Sequence, residues 1–156
     1  MSRPSVNLSY HSRRRIVVGG IAAAATVALV AGPVTAATPK HSKIKTVSIS
    51  LGRVLAGSND HVVYLFERDT KNHSNCDATC RMYWPPVKSK RAAIAGAHVR
   101  GAHLGLTSKG QVTYYGHPLY FYAQDTAPKQ ANGEGQNLSG GEWYVVGTNG
   151  KAIEDE

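Results

Sequence analysis

The two cysteines have the sharpest chemistry in the chain. Cys76 and Cys80 are its only cysteines and lie four positions apart. In a protein outside the reducing cytoplasm, such a pair most simply forms one disulfide. Extended residues at this spacing would hold their Cα atoms about 13 Å apart, beyond the reach of a disulfide. We therefore predict a turn, closed by a Cys76–Cys80 disulfide, ahead of Trp84.

The same segment also offers ligands for a metal. Four candidate ligands fall within ten residues: His73, Cys76, Cys80 and Met82. Imidazole, thiolate and thioether are ligands that suit copper. A copper-binding or redox accessory protein is therefore the alternative interpretation of this loop, whereas the disulfide interpretation requires no cofactor.

A second set of candidates lies in a repeated pattern of two aromatics and an aspartate. It occurs at Tyr64, Phe66 and Asp69, and again 56 residues later at Tyr120, Tyr122 and Asp125. Alternation with period 2 places both aromatics on one face of a strand, and the aspartate falls where that strand should end. A carboxylate there can accept hydrogen bonds from the next backbone N–H groups and set a turn.

The two aspartates also allow a catalytic hypothesis. Asp69 and Asp125 could converge across a pseudo-twofold axis as a carboxylate pair for acid–base work or cation binding, which would make the protein a hydrolase. The chain has no Gly-x-Ser-x-Gly or His-Glu-x-x-His motif, and its histidines show no ligand spacing. The sequence therefore favours a protein without enzymatic activity.

Each copy of the pattern is followed by an aromatic pair that contains a tryptophan, Trp84 in the first copy and Trp143 in the second. The same features occur in the same order in both halves of the chain, which indicates a tandem duplication. We place the repeats at 46–87 and 103–147, joined by a basic, Ala- and Gly-rich connector at 88–102. Both tryptophans are interpreted as anchors of the hydrophobic core.

Local signals within the repeats are those of strands. The predicted strands are 46–51, 61–66, 111–115, 119–123 and 142–146. Turn residues at 57–60, 116–118 and 149–150 separate or follow them. Helix signals are weak, and the best is the Ala-rich stretch 91–99. The sequence therefore predicts one small all-β domain made of two tandem β-hairpin repeats.

The N-terminus has the features of an export signal. Three arginines at 13–15 precede an apolar run at 16–31, which is too short to span a bilayer comfortably. A small-residue cleavage pattern ends at Ala36. We predict a signal peptide at 1–36, a flexible tether at 37–45 and the domain at 46–156. Both the general and the twin-arginine export routes fit this segment.

Much of the positive charge belongs to that N-terminal segment. The formal net charge is +8 for the whole chain, and after residue 37 there are 14 Lys and Arg against 10 Asp and Glu. A modest positive charge on an exported protein favours wall polymers or anionic lipid surfaces over nucleic acid as partners. We expect a monomer whose partner the sequence does not identify.

The repeated pattern resembles the Tyr-x-aromatic-x-x-Asp motif of a family of bacterial predicted lipoproteins and secreted repeats of unknown function. The cysteine pair with Trp84-Pro85-Pro86 resembles a segment of the same family, and so do Gln111–Gly116 and Pro118–Tyr120. The family brings no established mechanism, although some members are labelled with a role in alkane catabolism. The resemblance therefore implies a non-enzymatic module of the cell envelope or a binding module.

One departure from that family concerns lipid attachment. Many of its members are acylated on a cysteine directly after the signal peptide, whereas this chain has no cysteine before Cys76. We therefore expect a secreted protein without a lipid anchor, either free or loosely held at the cell wall or membrane surface.

Overall fold

Strands dominate the computed structural model, which describes residues 40–154. The strands are β1 (Lys43–Ile49), β2 (Gly52–Gly57), β3 (Tyr64–Phe66), β4 (Ile94–Ala95), β5 (Leu104–Leu106), β6 (Val112–Tyr114), β7 (His117–Pro118), β8 (Gln136–Leu138) and β9 (Gly141–Val145). Helix α1 is Cys80–Tyr83, and a 3₁₀ turn covers Gly101–His103. The prediction of a β-dominated fold with little helix is confirmed. The predicted signal peptide, 1–36, lies outside the described residues.

The strands are arranged in three sheets of three strands each. In the first, β1 lies between the antiparallel β2 and the parallel β4. In the second, β9 lies between β3 and β8, and in the third, β6 lies between β5 and β7, all antiparallel. Because β3 comes from the first repeat and β9 from the second, the second sheet joins the two repeats.

The strands that connect the sheets are buried on both faces. Tyr64 and Phe66 of β3 contribute to one hydrophobic cluster, and Leu65 between them contributes to a second. In β2, Val54 and Leu55 divide between the two clusters in the same way. Such strands are continuous apolar runs, as expected where neighbouring layers cover both faces. The described residues therefore form two hydrophobic clusters, with β2 and β3 between them.

The predicted connector contains a strand where the helix signal was strongest. Ile94 and Ala95 pair in parallel with Lys43 and Ile44 of β1, so the stretch 91–99 is not helical. Gly96 allows the close approach, because a Cβ atom there would lie 2.7 Å from Cβ of Lys45. Non-local pairing thus overrides the helix propensity of the alanines, which Gly96 already weakens.

Strand boundaries differ from the predicted ones at the N-terminal side. The predicted strand 46–51 is β1, which begins at Lys43, so the last residues of the predicted tether belong to the sheet. Ile44 is fully buried, which fixes this start. The chain then turns at 50–51 and forms β2, a strand that the prediction lacks. The predicted turn at 57–60 is present, since the amide of Asp60 donates to the carbonyl of Gly57 at 3.1 Å.

The second repeat shows similar shifts. The β6–β7 hairpin turns at Tyr115 and Gly116, which both have positive φ (51° and 88°), so that His117 and Pro118 already belong to β7. The predicted strand 119–123 is wrong, because that stretch forms only isolated bridges at Tyr120. The polar segment between Gly133 and Gly141, which lies outside the predicted strands, contains β8. Strands β7 and β8 are too short to show an alternation of hydrophobic and polar residues, so the sequence pattern does not predict them. Residues 40–154 contain no helix long and apolar enough to span a membrane.

Candidate functional site

The two copies of the aromatic–aspartate pattern meet at the centre of the molecule. The amide of Tyr64 donates to the carbonyl of Tyr120 at 2.8 Å, and the amide of Tyr120 donates to the carbonyl of Tyr64 at 3.0 Å. The two residues therefore form an antiparallel bridge. Since equivalent residues of two repeats face one another, a local pseudo-twofold axis passes between them.

The side chains of these tyrosines cross to the opposite repeat. The Tyr64 hydroxyl donates to Oδ2 of Asp125 at 2.6 Å, and the Tyr120 hydroxyl donates to Oδ2 of Asp69 at 2.6 Å. Each phenol is thus bound by the aspartate of the other copy. The carboxylates are paired with phenols, and this arrangement differs from the acid–base carboxylate pair of the hydrolase hypothesis.

The second oxygen of each aspartate closes a loop in its own repeat. Oδ1 of Asp69 accepts from the amide of Asn75 at 2.6 Å, and Oδ1 of Asp125 accepts from the amide of Asn132 at 2.9 Å. The predicted role in setting a turn therefore needs a correction, because the donor lies six or seven residues later and not in the next residues. The amide at each aspartate instead donates to the carbonyl three residues earlier, at 3.0 and 3.1 Å.

Two asparagines that sequence reasoning missed complete these loops. The side-chain amide of Asn75 donates to the carbonyl of Arg68 at 2.5 Å, and that of Asn132 donates to the carbonyl of Gln124 at 3.2 Å. An asparagine at nearly the same distance after each aspartate is a signal present in the sequence. The spacing differs by one residue between the copies, which conceals it from a search at fixed period.

The remaining aromatics of the pattern form a stack across the same axis. Phe66 stacks on Trp143 with 4.2 Å between ring centroids, and Tyr122 stacks on Trp84 with 4.3 Å. The two indoles stack on each other at 3.8 Å, with 1° between their planes. Phe66 and Tyr122 thus each contact the tryptophan of the other repeat. The structure places both tryptophans in the core, where each is fully buried.

Burial determines the electrostatics of the hydrogen-bonded pairs. It raises the pKa of Tyr64 and of Tyr120 above the ordinary value of 10.0, and the hydrogen bonds to the aspartates raise them further. Burial also raises the pKa of Asp69 and of Asp125 above 3.8, against the hydrogen bonds that they accept. Both tyrosines are therefore neutral donors at physiological pH, and both oxygens of each carboxylate are engaged within the protein.

The two halves of this arrangement are not identical. Asp125 is 4% exposed, whereas Asp69 is only partly buried. The Tyr64 hydroxyl accepts from the amide of Gly133 at 3.3 Å, while the Tyr120 hydroxyl lies 2.7 Å from Oγ of Ser74. Gly133 is required at its position, since a Cβ atom there would lie 2.7 Å from Cη2 of Trp84.

The cysteine loop lies next to this stack. Cys76 and Cys80 form a disulfide, with Cα atoms 5.3 Å apart, and both pack in the hydrophobic cluster that contains Trp84. The two other candidate copper ligands, His73 and Met82, are exposed. In the part of the chain that the structure describes, no three or more His, Cys, Asp or Glu side chains form a group that could hold a metal ion.

Fold and site together define a tandem-repeat module in which two β units interlock through reciprocal side chains. A family model described as a secreted repeat of unknown function matches residues 45–88 and 107–147, more than half of the chain. The chain belongs to this family of secreted repeats. No curated protein and no solved structure matches it. The match confirms the family suggested by the sequence and places its two repeats within four residues of the predicted boundaries.

The first prediction concerns the two phenol hydroxyls. Tyr64→Phe leaves the buried Asp125 without its phenol donor, so it should lower the free energy of unfolding by about 2 to 3 kcal/mol. Tyr120→Phe leaves a carboxylate that water can reach and should cost about 1 kcal/mol. Urea denaturation measures both. Tyr83→Phe, at a side chain that is 49% exposed, is the matched control and should change little. Equal effects of all three substitutions would contradict the assignment.

The second prediction concerns pH. Because burial raises the pKa of Asp125, its contribution to stability is fully present below about pH 3.8 and is lost as the pH rises through the raised pKa. The destabilisation caused by Asp125→Asn should therefore shrink between about pH 3 and pH 7. Denaturation curves at several pH values measure this difference.

Asp60 supplies a control with the opposite sign. A hydrogen bond from Lys45, at 2.6 Å, lowers the pKa of Asp60, so its contribution is present at neutral pH and is lost as the pH falls. The effect of Asp60→Asn should accordingly grow as the pH rises. An Asp125→Asn effect that grew in the same way would show that burial does not dominate at Asp125.

The third prediction concerns the cysteines and separates the disulfide from copper ligation. Intact-mass analysis of the exported protein should show a mass about two protons below that of the reduced chain. Replacing both Cys76 and Cys80 by Ser should lower the free energy of unfolding by about 2 kcal/mol, because the closed loop is short. Free thiols with stoichiometric copper, lost on replacement of His73 or Met82, would instead establish the metal site.

Proposed function

We propose that this protein is a secreted, non-enzymatic binding module that associates loosely with the cell envelope. One observation carries the proposal: the side chains best suited to catalysis hold the two repeats together. Both oxygens of Asp69 and of Asp125 accept hydrogen bonds within the protein. A general acid or base must instead reach a proton on a substrate. The two aspartates thus stabilise the interior of the module, and we place the binding of a partner on its surface.

The surface charge supports an anionic partner. Within residues 40–154 one ion pair is present, between Lys45 and Asp60. The other lysines and arginines of this part therefore have no carboxylate of residues 40–154 within ion-pair distance. Unpaired cations on an exported protein attract polyanions such as wall polymers or anionic lipid surfaces. We accordingly propose an association that is electrostatic and reversible.

Co-sedimentation with purified envelopes of the exporting cells tests this proposal. The protein recovered from the culture medium should pellet with envelopes at low salt and be released at about 1 M sodium chloride, where the Debye length falls to about 3 Å. Asp69→Asn and Asp125→Asn should lower thermal stability but leave the bound fraction of the folded protein unchanged.

Two outcomes would overturn the proposal. The first is a protein that stays in the supernatant at low salt. The second is a motif variant with native stability that has lost an activity of the wild-type protein, because that result would make the aspartates catalytic.

A further inference from the structure

A small pocket next to the cross-repeat contact is lined by cations and hydroxyls. It has a volume of about 70 Å³ and lies between the loop that contains Ser74, the end of α1 and the turn that precedes β6. Arg81, Lys88 and Lys109 line it together with Ser74, Thr107 and Ser108. The Ser74 hydroxyl lies 2.7 Å from the Tyr120 hydroxyl, so one wall of the pocket belongs to the interlocked centre.

The three cations of this pocket are held close together without a counter-charge. Nζ of Lys88 donates to the backbone carbonyl of Lys109 at 3.0 Å, which fixes these residues side by side. None of the residues lining the pocket is acidic, and none of the three cations forms an ion pair within residues 40–154. Burial, then Arg81, then Lys109 lower the pKa of Lys88. The cluster is therefore electrostatically unfavourable as long as no anion lies in it.

The donors match the chemistry of a tetrahedral oxyanion. Guanidinium and ammonium groups form strong, charge-assisted hydrogen bonds with phosphate oxygens. The Thr107 hydroxyl accepts from the amide of Gln111 at 3.1 Å, so its own proton is available to a ligand. A water molecule needs about 10 to 15 Å³ of such cavity volume, so this pocket has room for a group larger than water, such as one phosphate.

The corresponding loop of the second repeat lacks this chemistry. Asn75 and Asn132 are equivalent, because each donates its amide to the aspartate of its own repeat. The residue before each asparagine is therefore also equivalent, and the serine at 74 is replaced by Ala131. The groove that Ala131 lines has a volume of about 490 Å³ and is also lined by two serines, by one lysine, Lys129, and by a glutamate. The two copies have thus diverged in charge at this place, and the Ser74 hydroxyl has no counterpart at Ala131.

We propose that the pocket formed by Arg81, Lys88, Lys109 and Ser74 binds a single phosphate group, and that it is the contact through which the module holds anionic envelope components. This inference rests on the proposed envelope association for its biological setting, but the pocket itself can be tested without envelopes. Free phosphate, a phosphodiester polymer and a phospholipid headgroup all present the same chemistry to it.

The direct test is a titration of the ¹⁵N-labelled exported protein with inorganic phosphate, compared with sodium chloride at equal ionic strength. Saturable amide shifts should appear at 72–74 and 107–111 with phosphate alone. Lys109→Ala and Arg81→Gln should each weaken phosphate binding about tenfold, because each removes a charged hydrogen bond. Lys129→Ala removes the same charge from the other groove and should stay within about twofold of wild type.

Thermal unfolding of each variant shows whether the fold is intact. Lys109 is exposed and only its backbone carbonyl accepts from Lys88, so Lys109→Ala should fold as the wild type does. Amide shifts that are the same in phosphate and in sodium chloride would contradict the proposed phosphate site. An equal loss of phosphate affinity in Lys129→Ala and Lys109→Ala would also contradict it.

The source of the phosphate group is resolved by three probes. These are inorganic phosphate, a poly(glycerol phosphate) with a carboxylate polymer of equal charge as control, and vesicles with or without phosphatidylglycerol. Preference for the phosphate polymer over the carboxylate polymer, or binding to the anionic vesicles alone, supports the pocket and identifies its partner. Equal binding of both polymers by wild type and Lys109→Ala would overturn it.

Failure of this inference is distinguishable from failure of the proposed function. If Lys109→Ala and Arg81→Gln pellet with envelopes as wild type does, the module binds through another surface and the pocket assignment is wrong. If the wild type binds inorganic phosphate but does not pellet with envelopes, the pocket assignment is correct and the envelope association is wrong.

Discussion

Two hydrogen bonds between phenol and carboxylate, one from each repeat to the other, are the constraint on which the structure depends. Tyr64 binds Asp125 and Tyr120 binds Asp69, both at 2.6 Å. An isolated repeat would leave its buried tyrosine hydroxyl without its carboxylate partner, and burial of unpaired polar groups is costly. The duplicated pattern is therefore a requirement of the fold, since each copy supplies what the other lacks.

The aromatic stack follows from the same register. Once Tyr64 and Tyr120 pair through their backbones, the residues two positions later lie on either side of the axis, and each reaches the tryptophan of the opposite repeat. The two indole N–H groups differ in their hydrogen bonding. Nε1 of Trp143 donates to the carbonyl of Leu138 at 3.0 Å, whereas that of Trp84 is buried and has no partner within residues 40–154. The pseudo-twofold symmetry thus holds for the stacking of the two indole rings but not for the hydrogen bonds of their Nε1 atoms.

Much of this arrangement can be predicted from the sequence, and the rest depends on non-local contacts. Period 2 places both aromatics of each copy in one cluster, as in the structure, and in the first copy the aspartate lies beyond the end of β3. In the second copy the predicted strand 119–123 is replaced by isolated bridges at Tyr120. Nothing in a single copy shows that the phenol partner comes from the other copy. The parallel pairing of Ile94 with Lys43 is equally invisible, because the stretch around Ile94 has no strand pattern and the predicted strand begins only at residue 46. The proposed phosphate pocket combines residues from four separate places in the chain, namely 72–74, 81, 88 and 107–111, and has no local motif.

The distribution of differences between the repeats indicates where function resides. At the axis, the copies keep tyrosine, aspartate and asparagine in matching contacts, because each change there would leave a buried partner unpaired. At the loops just outside the axis, that constraint is absent, and the copies differ in charge and in the hydroxyl of Ser74. A duplication with an interior that must stay symmetric can acquire specificity only at its surface. The surface beside Ser74 shares a hydrogen-bonded wall with Tyr120, so a ligand held there would lie next to the hydrogen bonds that join the two repeats.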